Sequence, residues 1–533
     1  MAIKVVTSGK ASTAVETFIG ELVADKVASR IAAKDFTLWG KDAEAESSIR
    51  LGWVNSAVDS QALVADILAL KVEFAQQGVN RFVLCGMGGS SLAPEVITQT
   101  AGVELVVLDS TDPDQVNHAL SGDLSRTAIV VSSKSGSTVE TDSQKRVFER
   151  AFAEAGIAVT ERVVIVTDPG SPMEAAAKAD GYRIFNADPT VGGRYSALTA
   201  FGVVPSGLAG ADISTLLKDA EAAAKVLFSD DASNPGLILG AALARTASAA
   251  GFKDKIGVIS DSTKIVGFGD WAEQLIAEST GKIGKGILPV VLNTESPEVI
   301  AKPDDLLLVR VAADAVSATA DEVVVSGSLG EQFLLWEVAT VVASRLIGIN
   351  PFDQPDVESA KIAARAMLNE RGVIAAAEAV DGSVELRTQA LDLHGANTVA
   401  EAIKVLVAQA VDNSYFSIQA YLDRTSVPQA YELRDLLAKH TGRPVTFGWG
   451  PRFLHSTGQY HKGGPAQGIY LQLTAKGEAD LTVPGREFTF GELIASQAAG
   501  DAKVLGDHGL PVLTLTFSDV VAGLKAVTAA ISN

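Results

Sequence analysis

Short apolar runs alternate with helical patterns along most of the chain, and this alternation limits the fold more than any other feature of the sequence. Strands separated by helices form parallel sheets that are covered by helices. The strand-like runs fall into three series: Arg81–Cys85, Glu104–Leu108, Thr127–Val131 and Arg162–Val166; Asp254–Ile259, Leu288–Leu292, Leu306–Val311 and Glu322–Val325; and Tyr415–Tyr421, Val445–Gly448, Gly468–Leu473 and Val512–Phe517. The sequence therefore predicts an α/β protein with more than one parallel sheet.

The residues before the first series have a different pattern. Apolar residues recur at helical spacing over residues 15–31, and a second helical pattern covers residues 62–76. A chain of 533 residues has room for about three domains at roughly 150 residues each. We predict the following organisation: an N-terminal helical segment over 1–52, α/β domains over 53–210 and 211–375, and a C-terminal α/β module over 376–533.

The charge balance restricts the partners of the chain. Lys and Arg number 44 against 64 Asp and Glu, a formal net charge of −20. Nucleic acids and anionic membranes attract positive surfaces, so we expect neither as a partner. A small anionic substrate is compatible with this charge, because it responds to the local field of its pocket.

Three further features point to a cytoplasmic protein. The single cysteine, Cys85, excludes an internal disulfide framework and favours a reducing compartment. The first ten residues lack the apolar core of a signal peptide. The most apolar stretch, residues 333–349, contains Glu337 and Arg345, which predicts a buried helix rather than a membrane span.

A hydroxyl-rich loop follows the third strand-like run. Residues 133–138 read SKSGST and lie between a β-branched strand and a predicted helix. Such a junction offers free backbone N–H groups, the positive end of a helix dipole and hydroxyl donors, which suit a phosphate monoester. An ordinary serine-rich helix cap is the alternative, and Ser137 and Glu140 have the spacing of a capping box.

A second strand–turn–helix unit contains the sequence GMGGSS. Gly88 and Gly89 would let a ligand approach the backbone closely, and Ser90 or Ser91 could cap the helix. The glycine spacing does not match a dinucleotide-binding loop. Cys85, at the end of the strand, is typical of a small buried hydrophobic residue rather than of a nucleophile.

Two charged residues lie in positions that suit chemistry. Arg194 stands beside two glycines in VGGRYS, where a guanidinium can reach an anion or an enolate-like oxygen; a structural salt bridge is the alternative. Gln274 and Glu278 share one face of a predicted helix, so an amide could steer a carboxylate that acts as a base. A solvated helix glutamate is the alternative interpretation of Glu278.

The six histidines include a pair in one glycine-rich loop. His455 and His461 lie six residues apart, a spacing that fits no common zinc motif, and we expect no metal here. Imidazole titrates closest to neutral pH, so one of the two could act as an acid or base. The alternative is that both only order the loop.

Five segments together resemble the phosphoglucose isomerase family, whose members contain two sugar-isomerase (SIS) α/β domains. In the family's order they are GMGGSSLAP, SSKSGSTVET, VGGRYS, EQLIAESTGK and NPFDQPDVESAK. The C-terminal part looks similar to the isomerase half of bacterial transaldolase–isomerase fusions, but no transaldolase region fits before residue 80. The resemblance implies two SIS-type parallel-sheet α/β sandwich domains, with a C-terminal α/β module that completes the active site.

The resemblance also implies a role for each candidate residue. Glu278 would be the base that moves a proton between C2 and C1 of the open-chain sugar, and Arg194 would stabilise the cis-enediolate. Ser133, Ser135 and Thr138 would hold the phosphate. The full set of implied substrate-binding residues is Gly89, Ser90, Ser133, Lys134, Ser135, Thr138, Gln274 and Gln354. Lys361 matches a family residue that assists ring opening.

The sequence departs from the family at the ring-opening histidine. In the family this residue lies between the base and the NPFDQP segment, but here no histidine occurs between Glu278 and Lys361. The loop that begins HKGGP, at residues 461–465, is similar to the missing segment placed later in the chain. We therefore predict that His461 opens the ring, with His455 as the rival candidate.

The resemblance predicts an enzyme of glycolysis and gluconeogenesis. It implies reversible conversion of glucose 6-phosphate to fructose 6-phosphate, without a metal or redox cofactor, by a homodimer. An isomerase of another phosphosugar, such as mannose 6-phosphate, would look alike in sequence. A non-catalytic sugar-phosphate sensor would need the loop at 133–138 but would not need Glu278, Arg194 and Lys361 together.

Overall fold

The computed structural model of the chain describes residues 3–319, 321–356, 362, 366, 368, 375–477 and 480–532. The strands are β1 (Lys4–Thr7), β2 (Arg81–Gly86), β3 (Val106–Leu108), β4 (Thr127–Ser132), β5 (Val163–Thr167), β6 (Arg183–Asn186), β7 (Ala247–Ser248), β8 (Gly251–Phe252), β9 (Lys255–Asp261), β10 (Leu288–Leu292), β11 (Leu306–Ala312), β12 (Glu322–Ser326), β13 (Ala379–Asp381), β14 (Val384–Gln389), β15 (Tyr415–Tyr421), β16 (Val445–Trp449), β17 (Gly468–Ala475) and β18 (Val512–Phe517). The α-helices are α1 (Gly9–Ala24), α2 (Val27–Ala32), α3 (Glu44–Ser47), α4 (Ser56–Asp59), α5 (Gln61–Gln76), α6 (Leu92–Ala101), α7 (Pro113–Leu120), α8 (Val139–Glu154), α9 (Pro172–Asp180), α10 (Ala200–Ala209), α11 (Ile213–Leu227), α12 (Pro235–Arg245), α13 (Phe268–Thr280), α14 (Pro297–Ala301), α15 (Leu329–Ile347), α16 (Val399–Val407), α17 (Glu432–Thr441), α18 (Gly458–Gly463), α19 (Phe490–Asp507) and α20 (Val520–Ser532).

The first sheet has the strand order β3-β2-β4-β5-β6, and all its neighbouring strands are parallel. Every residue of β4 is buried, as expected for a β-branched strand that is covered on both faces. Because the strands are parallel, the loops at their carboxyl ends lie along one edge of the sheet. The GMGGSS and SKSGST segments, which follow β2 and β4, are therefore neighbours.

The second sheet has the order β1-β12-β11-β9-β10, with β9 to β12 parallel and β1 antiparallel to β12. The N-terminal segment was expected to be helical, but through β1 it also adds an edge strand to this sheet. Its first predicted helix is divided into α1 and α2 at Lys26, whose φ of 54° interrupts the helix. The domain limits 1–52, 53–210, 211–375 and 376–533 remain predictions.

The third sheet has the order β13-β14-β18-β17-β15-β16, with β15 to β18 parallel. The strands β13 and β14 pair antiparallel at its edge, and the sequence patterns did not predict them. The predicted fold class, an α/β protein built on parallel sheets, is confirmed.

The C-terminal module packs against both preceding sheets. Its Tyr470 and Leu505 share one apolar cluster with Leu288 of β10, and its Phe490 joins the core around β4. Burial of these side chains fixes the module on the two sheets, since apolar area removed from water stabilises the contact by about 25 cal/mol per Å². The functional site lies where the three parts meet.

The most apolar stretch of the sequence forms α15, which is buried over most of its length, as predicted. Among the helices in the described part of the chain, none combines the length and the hydropathy that crossing a bilayer requires.

Candidate active site

One face of α13 carries three polar side chains that are aligned along the helix. Asp270, Gln274 and Glu278 are four residues apart, which places them one above another. Glu278, near the carboxyl end of α13, is buried. The helix thus presents a carboxylate away from bulk water, at the edge where the loops after β2 and β4 also end.

Arg194 lies against Glu278 and is held by several acceptors. It belongs to the short 3-10 helix Gly193–Tyr195, is buried, and places Nη1 3.5 Å from Oε2 of Glu278. Its Nε donates to the Oγ of Ser279 at 2.9 Å, and Nη1 donates to the Oε1 of Gln354 at 2.9 Å. The structure therefore brings Arg194, Glu278 and Gln354 together, as the motifs predicted.

The SKSGST loop connects β4 to α8 and folds on its own hydroxyl groups. The backbone N–H of Gly136 donates to the Oγ of Ser133 at 3.2 Å, and the Ser133 and Thr138 hydroxyls lie 3.0 Å apart. The hydroxyls of Ser135 and Ser137 are 3.1 Å apart. Because these groups surround the first turn of α8, they combine hydroxyl donors with the positive end of a helix dipole.

Lys134 lies in this loop but pairs with an acid. Its Nζ is 2.5 Å from the Oδ2 of Asp168. Burial lowers the pKa of Lys134 and raises the pKa of Asp168, because removing either charge from water disfavours it. The ammonium thus adds positive charge beside the loop, while its direct contact is with Asp168.

The predicted capping box at the start of α8 is wrong. The N-cap is Thr138 rather than Ser137, and no side chain caps the helix there. Glu140 is buried instead, and its Oε1 accepts a hydrogen bond from the Nε2 of Gln497 at 2.8 Å. The carboxylate finds its donors in the C-terminal module, a long-range contact that spacing along the sequence cannot reveal.

The glycines of GMGGSS allow a close approach between loops. Gly88 has a φ of +55°, and a Cβ on Gly89 would overlap the carbonyl oxygen of Gly193. Ser91 is the N-cap of α6, but its hydroxyl donates back to the carbonyl of Gly88, and neither Ser90 nor Ser91 caps the helix through its side chain. Gly89 and Ser90 therefore border the loop that carries Arg194.

Gln274 does not steer Glu278, contrary to the sequence-based expectation. Its Nε2 donates to the backbone carbonyl of His455 at 2.7 Å. This amide therefore connects the helix of Glu278 to a histidine of the C-terminal module.

The two candidate histidines have different surroundings. His455 ends the 3-10 helix Arg452–His455, its side chain is 16% exposed, and its Nε2 lies 3.0 Å from the Oε1 of Glu140. This position is next to the loop at residues 133–138 (the phosphate-type loop), because Glu140 follows Thr138 by two residues. His455 is thus the histidine that the structure brings to the site.

His461 lies in α18 and is enclosed by aromatic rings. The ring centroids of Tyr415, Phe453 and Tyr470 are 6.1, 6.1 and 5.4 Å from the imidazole. Both ring nitrogens are buried and have no hydrogen-bond partner among the described residues. Burial, with a smaller effect of Lys462, holds the pKa of His461 well below its usual value. This environment does not suit the ring-opening role predicted for His461.

The NPFDQP loop is fixed by a buried lysine that sequence reasoning did not single out. The Nζ of Lys282 donates to the carbonyls of Asn350 and Asp353 at 2.8 and 2.6 Å and to the Oδ1 of Asp353 at 2.7 Å. Burial, with a smaller effect of Arg194, lowers the pKa of Lys282 to about 8. The available signal was its position in ESTGK, four residues after Glu278. Lys361 lies outside the described residues.

Two further possibilities raised by the sequence are a reactive cysteine and a metal site. Cys85 is fully buried, as predicted, and burial raises its thiol pKa. Within the described ranges, no three His, Cys, Asp or Glu side chains are arranged to hold a metal ion.

The sequence of the chain is similar to those of known proteins. Residues 69–299 match the family model described as phosphoglucose isomerase. A probable glucose-6-phosphate isomerase of Haloarcula marismortui is 36% identical over 211 residues, which cover 39% of this chain and 48% of the relative. A glucose-6-phosphate isomerase of Synechococcus sp. is 29% identical over 365 residues, covering 56% of this chain and 68% of the relative. The chain thus spans about half the length of the first of these relatives.

Two solved structures share the fold. A hypothetical protein from Thermus thermophilus superposes with a TM-score of 0.57 at 24% identity, over 69% of this chain and 99% of that chain. A glucose-6-phosphate isomerase from Chlamydia trachomatis gives a TM-score of 0.51 at 19% identity, over 62% of this chain and 75% of that chain. The segment matched by the family model contains Arg194, Glu278 and the loop at 133–138. Over residues 69–299, which contain four of the five sequence motifs, the chain therefore matches the phosphoglucose isomerase family.

Proposed function

We propose that the chain is a glucose-6-phosphate isomerase, which interconverts glucose 6-phosphate and fructose 6-phosphate. The observation that carries this proposal is the buried pair of Glu278 and Arg194, 3.5 Å apart, beside a hydroxyl-rich loop at a helix N-terminus. A base, a fixed cation and a phosphate-type loop are the groups that an aldose–ketose isomerase requires.

The substrate phosphate binds at Ser133, Ser135 and Thr138. The backbone N–H groups of the first turn of α8 and the serine and threonine hydroxyls donate to its oxygens. The net charge of −20 does not prevent this, since Lys134 and the helix dipole supply a positive local field. Phosphate binding holds the sugar in place, so its binding energy serves orientation.

The proton transfer uses the carboxylate of Glu278. It removes the proton from C2 of the open-chain aldose and returns it to C1, while the hydroxyl proton of O2 passes to O1; the reverse reaction uses the same group. The intermediate is a cis-enediolate, whose negative charge lies close to the guanidinium of Arg194. Because the cation is already held by Ser279, Gln354 and Pro351, little reorganisation is needed when the charge develops.

Ring opening is assigned to His455 in place of His461. Its Nε2 donates to the carboxylate of Glu140, which fixes the ring orientation. Glu140 is in turn fixed by Gln497, whose Oε1 accepts a hydrogen bond from the hydroxyl of Thr111 at 2.6 Å. Gln354, which accepts a hydrogen bond from Arg194, contacts the substrate. Lys361 is kept as a second ring-opening residue. The reaction requires neither metal nor redox cofactor, and we further propose a cytoplasmic homodimer.

The test is an isomerase assay with a substrate panel. The purified chain is expected to convert glucose 6-phosphate faster than mannose 6-phosphate, and Glu278→Gln to lose at least about a hundredfold in kcat while retaining sugar-phosphate binding. Glu273→Gln is the matched control on the same helix. Burial holds the pKa of Glu273 well above its usual value, so a neutral amide should be tolerated there. Near-normal turnover of Glu278→Gln, or a preference for mannose 6-phosphate, would refute the proposal as stated.

A further inference from the structure

Two arginines of the C-terminal module bind the same pair of acids on the first α/β domain. The Arg452 guanidinium lies 2.5 Å from Glu95 of α6 and 2.8 Å from Asp109, the residue after β3. Arg424 lies 3.0 and 3.4 Å from the same two carboxylates. The two cations lower the pKa of Glu95 to about 2 despite its burial, so this carboxylate stays ionised at neutral pH.

Arg452 differs from Arg424 because it also reaches the helix of the proposed base. Its Nη2 donates to the Oδ2 of Asp270 in the first turn of α13, at 3.3 Å. One turn later Gln274 binds the carbonyl of His455. The 3-10 helix 452–455 is therefore attached to α13 at both ends, on the same face of α13 that presents Glu278 one further turn along.

We propose that Arg452 is a positioning residue for His455: anchored to Glu95, Asp109 and Asp270, it sets the short helix 452–455 in register with Glu278. This inference rests on the proposed function and assigns it a further residue. A guanidinium suits this task, since its fork of donors can serve several carboxylates at once in a fixed geometry, whereas an ammonium is a point charge. Arg452 acts through His455 and does not itself touch the sugar.

The experiment separates positioning from general docking by comparing Arg452→Met with Arg424→Met. Both variants remove one cation from the same two acids and leave the other in place, so each weakens the contact between the C-terminal module and the first α/β domain. We expect Arg452→Met to lose at least about tenfold in kcat on glucose 6-phosphate, because a misplaced acid loses much of a contribution that typically amounts to 10²–10⁴-fold. Arg424→Met should lose less than about threefold.

The inhibition constant of an open-chain analogue tests whether the loss of kcat lies in ring opening. An acyclic five-carbon aldonate 5-phosphate resembles the open-chain enediolate and needs no ring opening. Its inhibition constant should be unchanged in Arg452→Met, while kcat on glucose 6-phosphate falls. A purely structural defect would weaken this inhibitor and lower kcat together.

If Arg452→Met does not fold, two milder variants test the same proposal. Arg452→Lys keeps the charge, and Asp270→Asn removes only the negative charge of the half-exposed partner on α13; both should lower kcat by a few-fold with an unchanged inhibition constant. Turnover within twofold of wild type in both variants would overturn the proposal, as would equal losses of kcat in Arg452→Met and Arg424→Met. If the wild-type chain has no isomerase activity, the proposed function and this inference both fail. Active wild type with insensitive variants refutes only the role of Arg452.

Discussion

The Nε2 of His455 lies 3.0 Å from the Oε1 of Glu140, although 315 positions separate the two residues. Glu140 stands in the first turn of the helix that follows the phosphate-type loop, whereas His455 belongs to the C-terminal module. The contact joins the two parts at the site and gives an imidazole a fixed orientation. It explains how a chain with no histidine between Glu278 and Lys361 can still place one beside the loop that we propose to bind the sugar phosphate.

The first prediction compares the two histidines. His455→Asn should lower kcat on glucose 6-phosphate by at least about tenfold, since the group that opens the ring is lost while phosphate binding is retained. His461→Phe should keep turnover within about threefold of wild type, because this ring only packs among aromatic side chains. Steady-state kinetics of both variants at pH 7 shows which of the two histidines takes part in the reaction. The reverse order of effects would return the ring-opening role to His461.

The second prediction concerns acid stability. His461 has a folded-state pKa well below its usual value because it is buried. The unfolded chain therefore binds the proton more strongly, and the free energy of unfolding falls as the pH drops below about 6.5. In His461→Phe this loss should be smaller. Urea unfolding of both proteins from pH 7.5 to 5 measures the difference, and parallel pH dependences would disprove a contribution from His461.

The sequence predicted the fold well where local pattern and burial agree. The β-branched runs of β4 and β9 became buried parallel strands, and the polar residues within the apolar stretch identified α15 as a buried helix. The edge strands β1, β6 and β13 were missed, as was β14 beside β13, since short or partly polar strands take their stability from the neighbours to which they pair. The division between α1 and α2 was missed because Lys26 carries no helix-breaking signal in its residue type.

The candidate site was predictable only within single motifs. Arg194, Glu278 and Gln354 lie together as the five segments implied. The partners of Gln274 and Glu140 come from the C-terminal module, so helix spacing suggested the wrong contacts for both. The choice between His455 and His461 depended on which of the two side chains is buried in the C-terminal module. Their spacing of six residues in the sequence does not predict this burial.

The third prediction tests the close approach of the two glycine loops. A Cβ on Gly89 would overlap the carbonyl oxygen of Gly193, so Gly89→Ala must displace the backbone that leads to Arg194. We expect a loss of about 1–3 kcal/mol in the free energy of unfolding and a lower kcat. Gly192→Ala is the matched control, since its Cβ would meet only a Tyr195 ring carbon at 3.7 Å. Equal stability of the two variants, measured by urea unfolding, would contradict this account.

The last prediction follows from the placement, within one chain, of the proposed catalytic groups that the structure describes. Glu278, Arg194, Glu140 and His455 come together within a single copy, through the contacts of Gln274 and Glu140 to the C-terminal module. If the protein is a homodimer, each subunit should therefore combine its own Glu278 with its own His455. Differently tagged Glu278→Gln and His455→Asn chains, co-expressed and purified through both tags, should be no more active than the better parent. Activity well above both parents would mean that the histidine acts in the neighbouring subunit's site, because only a shared site can regain both groups from two defective chains.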